Sequence, residues 1–354
     1  MTKPTVTVRV DCNARVGYGH VMRCLAVSRH LIEDSVKVRF VMSADSDAAP
    51  IESLGLQITR LNNSDAGIES LADALSPSDG PLLLDSYEIG TAGLGILHEA
   101  GFRIAMFDDG KRLDDYPCNL VVDSAPGASN LDYRGLANSR FCLGSDYVPL
   151  RDEFTKMPPR TGMPEDARRI VVTFGGSDHD DQSARTIEAL SGLNDNWQID
   201  VILGPAYCGR AETVGAENSA VHLHRNVMDM ATLMSRSHMA IASSGGTALE
   251  LACLGVPMIL LGLSEDQVPV ATALAAAGAA EYLGFWSTVD DTDIGDRAQS
   301  LSINNESRRR MSACGKALVD GLGAKRIATE ILNIWSDRPI IAEQETIAPD
   351  TRTA

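Results

Sequence analysis

RIVVTFGGSD, residues 169–178, is an apolar run of strand length closing on two glycines, a serine and an acid, directly ahead of the helical pattern DQSARTIEALSGL. A short continuous apolar run bounded by a glycine turn fits a strand buried on both faces, and a helix behind it makes half of a parallel βαβ unit. The units continue downstream, through the strand WQIDVILGP, the segment AVHLHRN, the helix VMDMATLMSRS, the strand MAIASSGG, the helix TALELACLG and the strand VPMILLGL. They also run upstream. TVTVRVD, VKVRFVMS, PLLLDSY, RIAMFDD and LVVDS read as strands, with the helical segments GIESLADAL and GLGILHEAG between them. This alternation predicts an α/β chain of two Rossmann-like parallel-sheet domains, facing each other across a cleft at their strand carboxyl ends.

Residues 151–168, RDEFTKMPPRTGMPEDAR, hold three prolines and mixed charges without periodicity, the pattern of a linker. The expected units are therefore 1–150, a linker at 151–168, a nucleotide-binding unit at 169–335 and a tail at 336–354 that lacks an apolar face. Two domains suit a length of 354 residues. With 44% hydrophobic and 22% charged residues the composition is that of a soluble globular enzyme. No apolar run approaches a membrane span, and the chain enters a strand at once without the pattern of a signal peptide, so a cytoplasmic protein is expected. The seven cysteines are scattered without a CxxC pair, which predicts small buried side chains rather than disulfides or zinc. A net charge of −17 argues against nucleic acid or anionic lipid as partner. An anionic ligand must then be held locally, by backbone amides and a few arginines.

Three glycine loops could do this. In VGYGHVMRCLAVSRHL, residues 16–31, Gly17 and Gly19 lie between strand and helix, where a backbone without side chains approaches a ligand closely. Met22 and Arg23 stand where the third glycine of a dinucleotide fingerprint would lie, which argues against a nicotinamide enzyme. His20 falls on the first helical turn, whose positive end disfavours imidazolium and keeps a neutral base available. Read on its own, the same histidine fits a capping or core position equally well. In the second loop Gly175, Gly176 and Ser177 offer a phosphate cradle or an ordinary tight turn, with Asp178, Asp180 and Asp181 toward solvent or as helix caps. The third, SSGGTALE, sets Ser243, Ser244, Gly245, Gly246 and Thr247 at another helix start. Glu250 follows one turn on, as a ligand for a ribose diol or as the capping-box partner of Thr247. Glu265, Asp266 and Gln267 end the strand VPMILLGL at the edge where such sheets take ligands. No carboxylate–histidine cluster has metal-ligand spacing, so neither metal nor cofactor is expected.

The stretches VDCNARVGYGHVMRCLAVS, LLLDSY, FDD, CLGSDYVPLRDEF, VVTFGGSD and SSGGTALELACLGVPMILLGLSEDQ, taken in order, resemble the motifs of the UDP-sugar hydrolases of pseudaminic acid biosynthesis. The resemblance runs over residues 5–285. It extends to the glycosyltransferase-B-like superfamily, including the lipid II N-acetylglucosaminyltransferases. It implies hydrolysis of a UDP-linked deoxy-diacetamido sugar to UDP and free sugar, with His20 as catalytic base and Tyr87 in the sugar pocket. It further implies that Val227 offers backbone atoms to uracil, Glu250 binds ribose, and Ser177 with Ser244 to Thr247 line the diphosphate. The family reads asparagine before the glutamine where this chain has Asp266, which exchanges an amide donor for an acceptor beside the sugar. His20 would take a proton from water attacking C1 opposite UDP, giving inversion. A glycosyltransferase using the same donor site, with His20 on an acceptor hydroxyl, is the main rival. A noncatalytic nucleotide-sugar sensor is the third reading. Residues 1–150 show no basic cluster of the kind that lipid acceptors call for. A monomer or weak dimer is expected.

Overall fold

The computed structural model describes residues 4–13, 18–61, 68, 71–72, 75–160, 162–176, 178–193 and 196–336. The first sheet is built from β1 (Thr5–Val10), β2 (Lys37–Ser43), β3 (Gln57–Leu61), β4 (Leu82–Asp85), β5 (Ile104–Phe107), β6 (Leu120–Asp123) and β7 (Arg140–Leu143). Helices α1 (Gly19–Glu33), α2 (Ala49–Glu52) and α3 (Thr91–Glu99) connect them, and α4 (Asp152–Thr155) opens the linker. The second sheet consists of β8 (Arg169–Thr173), β9 (Gln198–Leu203), β10 (Val221–Arg225), β11 (Met239–Ser243), β12 (Met258–Gly262) and β13 (Glu281–Phe285). Between and after these run α5 (Gln182–Leu190), α6 (Ala211–Ala216), α7 (Met230–Ser235), α8 (Gly246–Leu254), α9 (Gln267–Ala276), α10 (Asp291–Ile303), α11 (Asn305–Leu318) and α12 (Gly323–Ser336). Most of the expected helix at 67–75 lies outside the described residues.

Both sheets are parallel throughout, in the orders β3-β2-β1-β4-β5-β6-β7 and β10-β9-β8-β11-β12-β13. In each, the chain winds outward from one strand in one direction and then resumes beside it in the other. The crevice this leaves lies between β1 and β4 in the first sheet and between β8 and β11 in the second. The first turn of α1, the end of β4, and the Gly175–Gly176 and Gly245–Gly246 turns therefore all open at these crevices. Gly19, Gly176 and Gly246 are at the switch points because the topology puts them there.

The central strands are buried along their length, as continuous apolar runs require. One face of the first sheet packs on α1, where Val21, Cys24, Leu25, Val27 and Leu31 are buried, while Ile32 is 42% exposed. The same core takes Ala324, Ile327, Ala328, Ile331 and Ile334 from α12. The sequence reading grouped these residues with the second unit, but their side chains pack in the first. The helix has the 3–4 apolar spacing of an amphipathic helix, and that pattern does not reveal which domain will cover it. Among the cysteines, Cys12, Cys24, Cys118 and Cys142 are buried as expected, whereas Cys208 is exposed. No helix among the described residues is long and apolar enough to cross a membrane.

Candidate active site

At the crevice of the first sheet, β4 delivers Asp85 at its carboxyl end and the first turn of α1 delivers His20. The ring Nδ1 lies 2.6 Å from Asp85 Oδ1. Arg23 stands three residues further on, on the same face of the helix. Its guanidinium spans two carboxylates, with Nε 2.6 Å from Asp85 Oδ2, Nη2 2.7 Å from Asp85 Oδ1, and Nη1 2.7 Å from Asp109 Oδ1. The Tyr87 hydroxyl donates to Asp109 Oδ2 at 2.7 Å, and its ring meets that of His20 edge-on at 4.9 Å between centroids. Tyr87 as a whole remains 54% exposed. Packing of Arg23 over the Phe107 ring, 4.7 Å to its centroid, fixes the guanidinium plane from below.

Electrostatics decides where the protons are. Burial would raise the Asp85 carboxyl, but the Arg23 charge and hydrogen bonds from Arg23 and His20 outweigh it and hold the group far below the ordinary carboxylate range. Asp109 is lowered in the same way, burial being overcome by Arg23 and Tyr87. Burial and the Asp109 charge push the Tyr87 hydroxyl well above its usual range, so it stays a donor. With Asp85 ionised, the short Asp85–His20 contact needs its proton on Nδ1, although Arg23 Nη2 also lies 3.0 Å from that nitrogen. Nε2 is left as the acceptor. A histidine with one nitrogen held by a buried carboxylate and the other free is equipped to take a proton from a hydroxyl or water.

The second domain presents two helix starts of opposite character. Asp178 is 6% exposed and its carboxylate accepts the amides of Gln182 and Ser183, both at 2.8 Å, at the first turn of α5. That turn already holds an anion of its own. The start of α8 carries none: Gly245 is the N-cap residue, no side chain caps it, and the first turn has no acid. Gly246 is exposed, with no atom within 4 Å of where a Cβ would sit. The capping box expected between Thr247 and Glu250 is not formed, because the N-cap is Gly245, two residues ahead of the position the T-x-x-E pattern requires. Instead Glu250 Oε1 receives Arg151 Nη2 from the linker at 3.0 Å. Burial raises the Glu250 carboxyl in spite of the arginine.

The remaining expected residues are placed as follows. Ser244 is fully buried and its hydroxyl turns inward to the Leu261 carbonyl at 3.4 Å, so only its backbone faces the turn. Gln267 accepts the Leu263 amide at 3.2 Å, and its Nε2 lies 3.7 Å from the position of a Cβ on Gly245, which brings the strand end and the glycine turn together. Asp266 is exposed ahead of α9 and makes no capping bond. Val227 is half-buried behind Asn226, whose φ is +52°, and beside Met228, which is 91% exposed. Gly19 and Gly176 are exposed, while Gly17 and Ser177 lie outside the described residues. The Gly176 turn is shaped by a residue not singled out in sequence: a Cβ on Gly204, at the end of β9, would lie 2.2 Å from the Gly176 carbonyl oxygen. The domains touch nearby. A Cβ on Gly127, beyond the carboxyl end of β6, would lie 3.9 Å from the Ala273 Cβ of α9.

Asp85, Arg23 and Asp109 were not picked out by residue type, although LLLDSY and FDD carry two of them. The available signal was positional: an acid at or just past the carboxyl end of each of two neighbouring apolar strands, β4 and β5.

No family model matches the chain. It is 27% identical over 242 residues to a spore coat polysaccharide biosynthesis protein (SpsG) of Bacillus subtilis, covering 67% of this chain and 71% of that protein. A match of 23% identity over 275 residues, 74% of this chain, is to an uncharacterised protein of Methanocaldococcus jannaschii, of whose length this chain spans 56%. A shorter one, 30% identical over 158 residues, covers 42% of this chain and 44% of a UDP-N-acetylglucosamine–N-acetylmuramyl-(pentapeptide) pyrophosphoryl-undecaprenol N-acetylglucosamine transferase of Exiguobacterium. Among solved structures, the calicheamicin glycosyltransferase CalG4 superposes with a TM-score of 0.67 at 13% identity, over 95% of this chain and 99% of that one. The fold is accordingly that of the glycosyltransferase-B enzymes.

Proposed function

We propose that the chain cleaves a UDP-linked deoxy-diacetamido sugar at its anomeric carbon, by inverting hydrolysis, into UDP and free sugar. The observation that carries the reading is the 2.6 Å contact of His20 Nδ1 with buried Asp85, which leaves Nε2 as a base at a sheet crevice. Water gives a proton to Nε2 as its oxygen bonds to C1; the C1–O bond to the diphosphate breaks and its electron pair leaves with UDP. General-base assistance of this kind supplies about 10² to 10⁴-fold. The leaving diphosphate needs donors more than it needs an acid, and the bare first turn of α8, Gly245 to Thr247, offers amides at the positive end of a helix. The second oxygen of Glu250 is the ligand for the ribose diol and the Val227 backbone for uracil. Asp266, in place of the family's asparagine, sets which sugar is accepted.

A second reading has the same machinery transferring the sugar to an acceptor hydroxyl. The name of the Exiguobacterium relative, a transferase that uses UDP-N-acetylglucosamine, favours it. Purified protein incubated with candidate UDP-sugars, without acceptor, separates the two. Release of UDP with free sugar of inverted configuration supports hydrolysis; release only once an acceptor is supplied supports transfer. A His20→Ala variant should lose about 10² to 10⁴-fold in rate. A variant as fast as the parent would remove His20 from the chemistry.

A further inference from the structure

We infer that the second domain carries another ligand site, for a small organic phosphate, in a cavity of about 600 Å³ beneath the linker. Its ionisable lining is Arg160, Arg236, His238 and Lys316 with one thiol, and no carboxylate is among its lining residues, in a chain with 48 Asp and Glu against 31 Lys and Arg. Met157 and Leu254 belong to its apolar wall. None of these residues takes part in the His20 cluster or the glycine turns.

The cavity is built rather than left over. Arg160 Nη2 donates to the Ser235 carbonyl at 3.0 Å and to that of Ser237, tying the linker to the turn between α7 and β11. On the other side Arg308 Nη2 donates to the carbonyls of Pro164 at 2.8 Å and Glu165 at 2.7 Å. The prolines at 158, 159 and 164 fix the backbone φ at three positions of the strap that lines the cavity.

Charge selects the occupant. Lys316 and Arg236 line the cavity with only Asp229, at the start of α7, acting on Arg236 from a distance, and Arg160 Nε is buried without a hydrogen-bond partner. Burial with no anion beside it holds the Arg160 guanidinium below its usual range. His238 Nδ1 accepts the amides of Arg168 at 2.9 Å and Arg169 at 3.3 Å, which leaves Nε2 as a donor. Two helix carboxyl ends lie here, that of α7 beside Arg236 and that of α8, where Lys316 runs along Gly255. Each contributes about half a negative charge. Arg160, Arg236 and Lys316 outweigh these partial charges and leave the cavity net positive, which suits a phosphate monoester. Arginine and lysine with a histidine donor match its oxygens, and the apolar wall takes a carbon body.

Titration calorimetry with n-hexyl phosphate and with inorganic phosphate tests this. Hexyl phosphate should bind the parent, more tightly than inorganic phosphate, and saturating UDP should not displace it. Arg236→Ala combined with Lys316→Ala should weaken it at least about tenfold, the loss of one charge-assisted contact, with the melting temperature showing that the variant is folded. Arg236→Gln repeats the test with less change in packing. No binding of the ester at millimolar concentration, equal binding to parent and folded variants, or competition by UDP would overturn the inference. Sedimentation with phosphatidic acid vesicles, without binding of the soluble ester, would overturn the assignment to a soluble ligand. Failure of UDP itself to bind bears on the proposed cleft reaction and leaves this site standing.

Discussion

With Asp85 on Nδ1, the His20 ring has a fixed orientation and one free nitrogen. An Asp85→Asn exchange keeps the shape but lets the amide donate to Nδ1, so the ring can adopt the other tautomer with its proton on Nε2. Turnover should fall by about 10² to 10⁴-fold at unchanged secondary structure, measured as UDP release alongside circular dichroism. The acid response should change as well. Asp85 and Asp109 titrate below the ordinary carboxyl value of 3.8 in the folded chain, so their stabilisation is present above it and lost as pH falls further. Buried Asp123, Asp178 and Glu250 are raised and act with the opposite sign. The parent should therefore lose more stability than Asp85→Asn between about pH 4 and about pH 2, compared by denaturant melts. His20 was legible in the sequence because the glycines beside it announce a loop. Its partners were not: Asp85 is 65 positions away, and only the pairing of β1 with β4 brings the two together.

At the scale of elements, α5 and α8 follow apolar strands and glycine turns that look alike in sequence, yet one helix start is filled by its own acid and the other is bare. Asp178 makes the difference. It follows the glycine pair, has a φ of +41°, and folds back onto the two amides a phosphate would need. Asp178→Ala should cost about 1 to 2 kcal/mol in stability, read as a lower denaturation midpoint, and leave UDP affinity unchanged. Thr247→Asp should do the reverse at α8, adding about 0.3 to 1 kcal/mol through the helix dipole while weakening UDP binding in calorimetry. Tighter UDP binding in Thr247→Asp would exclude this turn as the diphosphate site. Strand legibility follows the same local logic. The central strands are unbroken apolar runs, whereas β3, β7 and β13 went unread. All three are sheet edges, where one side is unpaired and polar residues such as Arg60, Arg140 and Glu281 are tolerated.

Across the whole molecule, the chain passes between the domains twice, outward through the linker after Val148 and back through α12. The two crossings touch. A Cβ on Gly323, the first residue of α12, would lie 2.3 Å from the Val148 carbonyl oxygen and 2.5 Å from its amide nitrogen, against backbone that has no side chain to move aside. From that contact α12 runs along α1, with Ile327 and Ile331 fully buried in the first core. Any closure of one domain on the other must bend both crossings at the point where only a glycine fits. Gly323→Ala must therefore push α12 away from Val148, at about 1 to 3 kcal/mol for an overpacked contact. Because α12 is packed in the first core, the loss should fall there: hydrogen exchange should rise in α1 and α12 and stay at the parent level in β8 and β11. Exchange rising evenly in both sheets would mean that the crossings transmit strain to the second domain as a unit. An unchanged pattern with an unchanged melting temperature would mean that the contact at Val148 yields freely and does not restrain the hinge.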